Sequence, residues 1–142
     1  MRAAAETGDV MRDLLLTTLV LAAAFTLPAA AAGRPSGTFR LVAIEGAAPP
    51  EGVDVTLRFT GEGLSLRGPC NSFSMPVTVH DDGRIDGGPM MGTQMACADP
   101  ARMAFEARLT AAVEGVTGYG MTDGTLRLDT ASGALVFAPE NP

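Results

Sequence analysis

Tryptophan and lysine are absent from this 142-residue chain, histidine and tyrosine occur once each, and there are only two cysteines. Each shortage excludes something. A histidine-based catalytic centre has one candidate, His80, beside the Asp81-Asp82-Gly83 turn, and no motif ties a serine and an acid to it, so it reads as a surface residue flanking a turn. Cys/His metal centres need ligand spacings that this inventory does not supply. All ten basic residues are Arg, interspersed with sixteen acids for a formal net charge of −6. With no basic run and no aromatic platform, neither phosphate attraction nor base stacking has a source, and nucleic acid is excluded as a partner. The carboxylates are scattered without a glycosidase-like motif, and no Gly-rich phosphate loop precedes a helix. Nothing here predicts an enzyme or a cofactor.

What is present is apolar residues, 46% of the chain, so a single domain with an aliphatic core of Val, Leu, Met, Phe and Ala is expected. Residues 14–27, LLLTTLVLAAAFTL, form the longest apolar run. It is shorter than the about 20 residues a membrane-spanning helix needs, which argues against a retained anchor. Met11-Arg12 precedes it, and Pro28 and Ala29-Ala30-Ala31-Ala32-Gly33 follow, with Ala30 and Ala32 fitting the A-x-A cleavage rule. Residues 1–32 therefore read as a signal peptide. Glu6 and Asp9 suit a positive n-region poorly, so translation is expected to start at Met11. No cysteine adjoins the cut, which leaves a lipid anchor without an attachment point. The expected product is a soluble periplasmic monomer, 33–142, with eight Arg against thirteen acids and a net charge of −5.

Cys70 and Cys97 both survive in that product. Two thiols in an oxidising compartment, with no third candidate, pair most economically with each other. Such a bridge stabilises the fold by roughly 3–4 kcal/mol in the chain-entropy model. The competing reading is a thiol oxidoreductase; it is weakened by the lack of C-x-x-C spacing and of an adjoining Lys or His to lower a thiol pKa.

Apolar and polar residues alternate over 38–44 and over 53–59, where Val53, Val55, Leu57 and Phe59 form the inward row. Gly61-Glu62-Gly63 is expected to supply positive φ for a hairpin into Leu64 and Leu66. Gly68-Pro69-Cys70-Asn71-Ser72 breaks the pattern, and 75–80 resumes it with Val77 and Val79 inward. The stretch 87–97 is expected to be irregular or a short edge strand. Asp99 is the predicted cap of a helix over 100–114, with Pro100 at its first position. Its apolar face is Ala101, Phe105, Leu109, Ala112, Val113 and Val116, with Arg102, Glu106, Thr110 and Glu114 directed elsewhere and Gly115 and Gly118 ending it. Three strands close the chain, the first two joined by an Asp123-Gly124 turn. The fold class is α+β: a curved antiparallel sheet or small barrel with one inserted helix packed against it.

Over nearly all of 33–142 the chain resembles the META domain, the HslJ-like family that includes a bacterial heat-shock protein. The resemblance rests on Cys70-Asn71 after a strand ending at Gly68, and on Thr93-Gln94-Met95-Ala96-Cys97, similar to the family's T-x-M-A-C signature before the helix. The opening Gly37-Thr38-Phe39-Arg40-Leu41, the Phe105 and Leu109 helix face, and the closing Gly124-Thr125-Leu126-Arg127-Leu128 with Leu135-Val136-Phe137 support it. Phe39 stands where the family usually has Trp, and Ser72-Phe73-Ser74-Met75-Pro76 lacks the usual Gly and Tyr. The resemblance implies an α+β, barrel-like fold, an envelope protein tied to stress or antibiotic tolerance, and no known catalytic residue.

Several of these residues admit two roles. Asn71 at a strand end is expected to bond its own turn and accept positive φ rather than contact a ligand. Thr93 and Gln94 are expected to tie the irregular segment to neighbouring backbone. Met90, Met91 and Met95, with Met75 and Met103, would suit a soft metal such as Cu(I), but Met is also the ordinary filler of irregular cores, and without His or free Cys the second role is preferred. The functional expectation is a non-catalytic secreted envelope protein that binds an envelope protein or a small apolar ligand. A different class is a periplasmic inhibitor of a basic hydrolase such as lysozyme, reached by electrostatic steering.

Overall fold

The computed structural model describes residues 33–140; the signal-peptide reading of 1–32 lies outside them. Nine strands and one helix follow in the order β1 (Thr38–Ile44), β2 (Thr56–Thr60), β3 (Gly63–Arg67), β4 (Ser72–Val79), β5 (Ile85–Gly87), β6 (Met91–Gly92), α1 (Pro100–Glu114), β7 (Val116–Thr122), β8 (Thr125–Thr130) and β9 (Gly133–Pro139). The strands form one antiparallel sheet in the order β5-β4-β3-β2-β1-β9-β8-β7, with β6 paired to the start of β4. Its two ends meet where Arg84 bridges Gly118 and the Tyr119 N–H donates to the Gly83 carbonyl at 2.8 Å, so the sheet is a nearly closed barrel with α1 packed against it. The expected fold class is the one observed.

Alternation explains the barrel's interior. Leu57, Leu66, Leu126, Leu128, Leu135 and Phe137 are fully buried, and each is flanked along its strand by residues facing outward. The helix adds Phe105, Leu109, Ala112 and Val113 to the same cluster. Asp99, extended at φ −96, accepts the Ala101 N–H at 2.8 Å, and Pro100 occupies the first turn, where its missing N–H costs no hydrogen bond. Asp123 and Gly124, at φ 50 and 79, form the tight β7–β8 turn whose handedness matches strand twist.

Several details depart from the sequence reading. Ala101 is exposed, and Val116, although buried, opens β7 instead of lying on the helix. Gly115 ends the helix, while Gly118 sits within β7 at a register shift. Gly61 and Gly63 do not take positive φ; Gly63 is needed because a Cβ there would lie 2.2 Å from the Met75 carbonyl oxygen of the neighbouring strand. The 87–97 stretch includes the end of β5 and all of β6. Met75 is buried in the core and Met90 packs against it, whereas Met91 and Met95 are exposed. Glu106 is buried, with consequences for the site described below.

The hairpin that closes the barrel carries its own electrostatics. The Arg84 guanidinium, and then the Arg84 N–H, hold the Asp82 carboxyl below its ordinary range. A depressed carboxyl pKa contributes stability that is present above the unfolded value and lost as pH falls through the folded one. Both groups are solvent-exposed, so salt screens the effect. Asp82→Asn is expected to cause a small destabilisation at neutral pH that fades in acid and in high salt, read from urea midpoints. Leu128→Ala, by contrast, should cost about 2–5 kcal/mol in the same measurement at every salt concentration.

Candidate functional site

The polar centre of the molecule is built where the β3–β4 corner, the segment after β6 and helix α1 meet. Glu106 lies seven residues before Val113, nearly two helical turns, which places it on the edge of the apolar face; only 4% of its surface is exposed. Its Oε2 accepts the N–H groups of Cys70 and Asn71, each at 2.8 Å, and its Oε1 accepts the Asn71 Nδ2 at 2.6 Å. Successive backbone N–H groups converging on one acceptor form a small anion-binding concavity, here filled by a side chain of the same protein. The corner closes on itself through Gly68 N–H to Asn71 carbonyl at 2.8 Å, and a Cβ on Gly68 would lie 2.5 Å from Oε2. Gly68 is therefore glycine because the carboxyl occupies the space a side chain would need.

Asn71 is the second buried polar residue of the site, at 6% exposure. Its Oδ1 accepts the Met95 N–H at 2.6 Å and the Thr93 hydroxyl at 2.8 Å, while Nδ2 also donates to the Met95 carbonyl at 3.0 Å. Its side-chain amide thus pairs with the Met95 backbone as a neighbouring strand residue would. The Thr93 N–H donates to the Ser72 carbonyl and its hydroxyl accepts the Ser72 N–H, extending the β4–β6 pairing past the end of β6. Asn71 does not adopt positive φ, and its side chain bonds the distant segment, not its own turn.

Beside this hydrogen-bonded pair the chain is covalently tied: Cys70 and Cys97 form a disulfide with Cα atoms 5.6 Å apart and a sequence separation of 27. The Cys97 N–H reaches the Met103 sulfur at 3.4 Å, which brings the first turns of α1 against the same segment. Together these elements leave an open groove of about 330 Å³. Asn71 and Glu106 are its buried polar lining, Phe73, Met95, Met103 and Ala107 line it with apolar side chains, and Thr93, Gln94, Ala96 and Thr110 complete it. Cys70, Cys97, Asn71, Thr93, Gln94, Met95 and Ala96 therefore lie together, with Gln94 and Ala96 exposed. Asp99 and Pro100 stand apart as the helix cap.

Sequence reading missed Glu106. The heptad step to Val113 was the available signal, overridden by the rule that a lone carboxylate on an amphipathic helix faces water. His80 lies elsewhere, at the β4–β5 turn, with its Nε2 2.6 Å from the Asp86 carboxylate. Among the described residues, no group of three or more His, Cys, Asp or Glu side chains is placed to hold a metal ion.

Removing an acceptor that serves three donors leaves the Cys70 and Asn71 N–H groups unpaired and the Asn71 Nδ2 with the Met95 carbonyl alone. Glu106→Ala is expected to lower stability by about 3–4 kcal/mol, and Glu106→Gln, which retains one acceptor oxygen, by about 1–3 kcal/mol. Denaturant unfolding at neutral pH measures both, and equal losses would show that the donors re-pair with water.

A model of the META domain matches residues 33–142. Two solved structures share the fold. One is an NMR structure from Burkholderia xenovorans, at 23% identity and a TM-score of 0.58, covering 75% of this chain and 83% of that one. The other, also an NMR structure, is 20% identical with a TM-score of 0.55, covering 72% of this chain and 87% of that one. Comparison with curated proteins gives no match. The domain match runs from the residue after the expected cleavage point to the C-terminus and takes in the Cys70-Asn71 corner, the 93–97 segment and the helix that joins them, so this chain belongs to the META-domain family.

Proposed function

We propose that this protein is a secreted, non-catalytic binding protein of the bacterial envelope, and that the groove between the 93–96 segment and α1 is where it engages its partner. One observation carries the reading: the groove's buried polar groups are consumed internally and its surface is mostly apolar. Asn71 and Glu106 spend their polar atoms on each other and on nearby backbone, and among the described residues no buried side-chain nitrogen or oxygen lacks a hydrogen-bond partner. Catalysis needs a polar group held ready for substrate, whereas Met95 and Met103 at the rim offer adaptable apolar contact. The general lack of catalysis in the META family is consistent with this.

Export rests on the apolar run at 14–27 and the A-x-A site that follows, and a disulfide beside the groove suits an oxidising compartment. A role in envelope stress tolerance accords with the family. The acid that lines the groove, Glu106, is buried, which favours this reading over inhibition of a cationic hydrolase, since that would place exposed acids at the contact. Mass spectrometry of the protein from the periplasmic fraction should give an N-terminus at Gly33 and two fewer hydrogen atoms than the reduced form. A partner retained from envelope extract by the wild type should be lost with a Met95→Asp/Met103→Asp variant whose melting temperature is unchanged. A retained leader, or capture indifferent to both substitutions, would refute the proposal.

A further inference from the structure

Between Asp86 and Asp99 the chain has no charged residue, although charged residues make up 18% of the whole. Within this gap lie Met91 and Met95, 64% and 62% exposed, and Met103, 38% exposed, stands against Cys97. Three of the four large exposed apolar residues thus gather around one segment. That segment is also a sheet edge: β6 pairs with β4 on one side and, among the described residues, with no strand on the other. Thr93 and Met95 turn their backbone toward β4 and Asn71, through Thr93 N–H to Ser72, Met95 N–H to Asn71 Oδ1 and Asn71 Nδ2 to the Met95 carbonyl. The residues between and after them, Gln94 and Ala96, make no main-chain hydrogen bond to any described residue, and both are exposed. Exposed edges are ordinarily blunted by charge, proline or a bulge, and the run from Met91 to Ala96 has neither charge nor proline.

Resting on the groove reading above, we infer that its occupant is an extended segment of a partner polypeptide, added as a further strand along the edge from Met91 to Ala96. Unpaired main-chain donors and acceptors at alternate residues specify an extended backbone more closely than they specify a small apolar ligand. An added strand would hydrogen-bond Gln94 and Ala96 and direct alternate side chains toward Met95, Met103 and Ala107. Asn71 makes this possible by holding the segment straight from the other side without using its outer edge. The partner segment is expected to be uncharged, with small or branched apolar residues at every second position.

The test uses 15N-labelled protein and the probe acetyl-Thr-Val-Thr-Val-Thr-Val-Thr-amide, with two twins N-methylated either on the valines or on the threonines. Strand addition predicts that the Gln94 and Ala96 amide signals shift and exchange more slowly with solvent, and that one twin binds like the parent while the other does not. Gln94→Pro, which removes an N–H that has no partner within the described residues, should weaken binding by about tenfold or more at unchanged melting temperature. If both twins bind equally and Gln94→Pro is neutral while the Met95 and Met103 methyl signals still move, strand addition is wrong and the groove reading stands. A probe that perturbs neither the edge nor the groove overturns the inference, and failed capture from envelope extract would then remove the groove reading as well. Dimerisation abolished by Gln94→Pro would assign the edge to a second copy of this chain instead.

Discussion

One carboxyl group organises the candidate site. Glu106 collects the N–H groups of two consecutive residues at a chain reversal and the side-chain amide of one of them, and so settles where the β3–β4 corner lies relative to α1. Without it two backbone donors would lack a partner, and Asn71 would lose a contact that helps orient its amide toward Met95. The dependence runs in one direction. The corner can wrap the carboxyl only because residue 68 has no side chain, and the carboxyl reaches the corner only because the helix buries the face next to it.

The disulfide and the Asn71 contacts join the same two segments at adjacent positions, 70 to 97 and 71 to 95, yet they act on different states of the chain. A covalent bridge acts chiefly by restricting the unfolded ensemble, and by itself it does not fix the direction of either segment's backbone. The Asn71 amide contributes where the bridge does not, in the folded state, by fixing the backbone direction of Met95. The barrel supplies the rigid frame: β4 is held by β3 along its first five residues, so the corner that precedes it starts from a fixed point.

Elements with strong periodicity were legible in the sequence because burial of one face is what creates the period. Leu57, Leu64 and Leu66 could be assigned inward from alternation alone, and Asp99-Pro100 marked the helix start because capping is local chemistry. The site was legible as a set of residues through the family's motifs, but its wiring was not. Glu106 contacts residues 35 and 36 positions away, a distance no periodicity reports. The same limit explains Gly63 and Gly68. Both were read as punctuation, and their actual constraint is an atom of another element occupying the position of the missing Cβ.

Asn71 shows why this arrangement tolerates little substitution. The residue must donate to Glu106 and to the Met95 carbonyl while accepting from the Met95 N–H and the Thr93 hydroxyl, and only a carboxamide at this reach carries both functions. Aspartate would keep the acceptors but set a second carboxyl against Glu106 and leave the Met95 carbonyl unpaired. Glutamine would keep both functions one methylene too far from a corner whose spacing Gly68 has already fixed. A side chain that imitates a peptide unit can therefore end the β4 ladder without ending the pairing. The Met95 backbone is satisfied from within, and the opposite edge of the segment makes no main-chain hydrogen bond at Gln94 or Ala96 to any described residue.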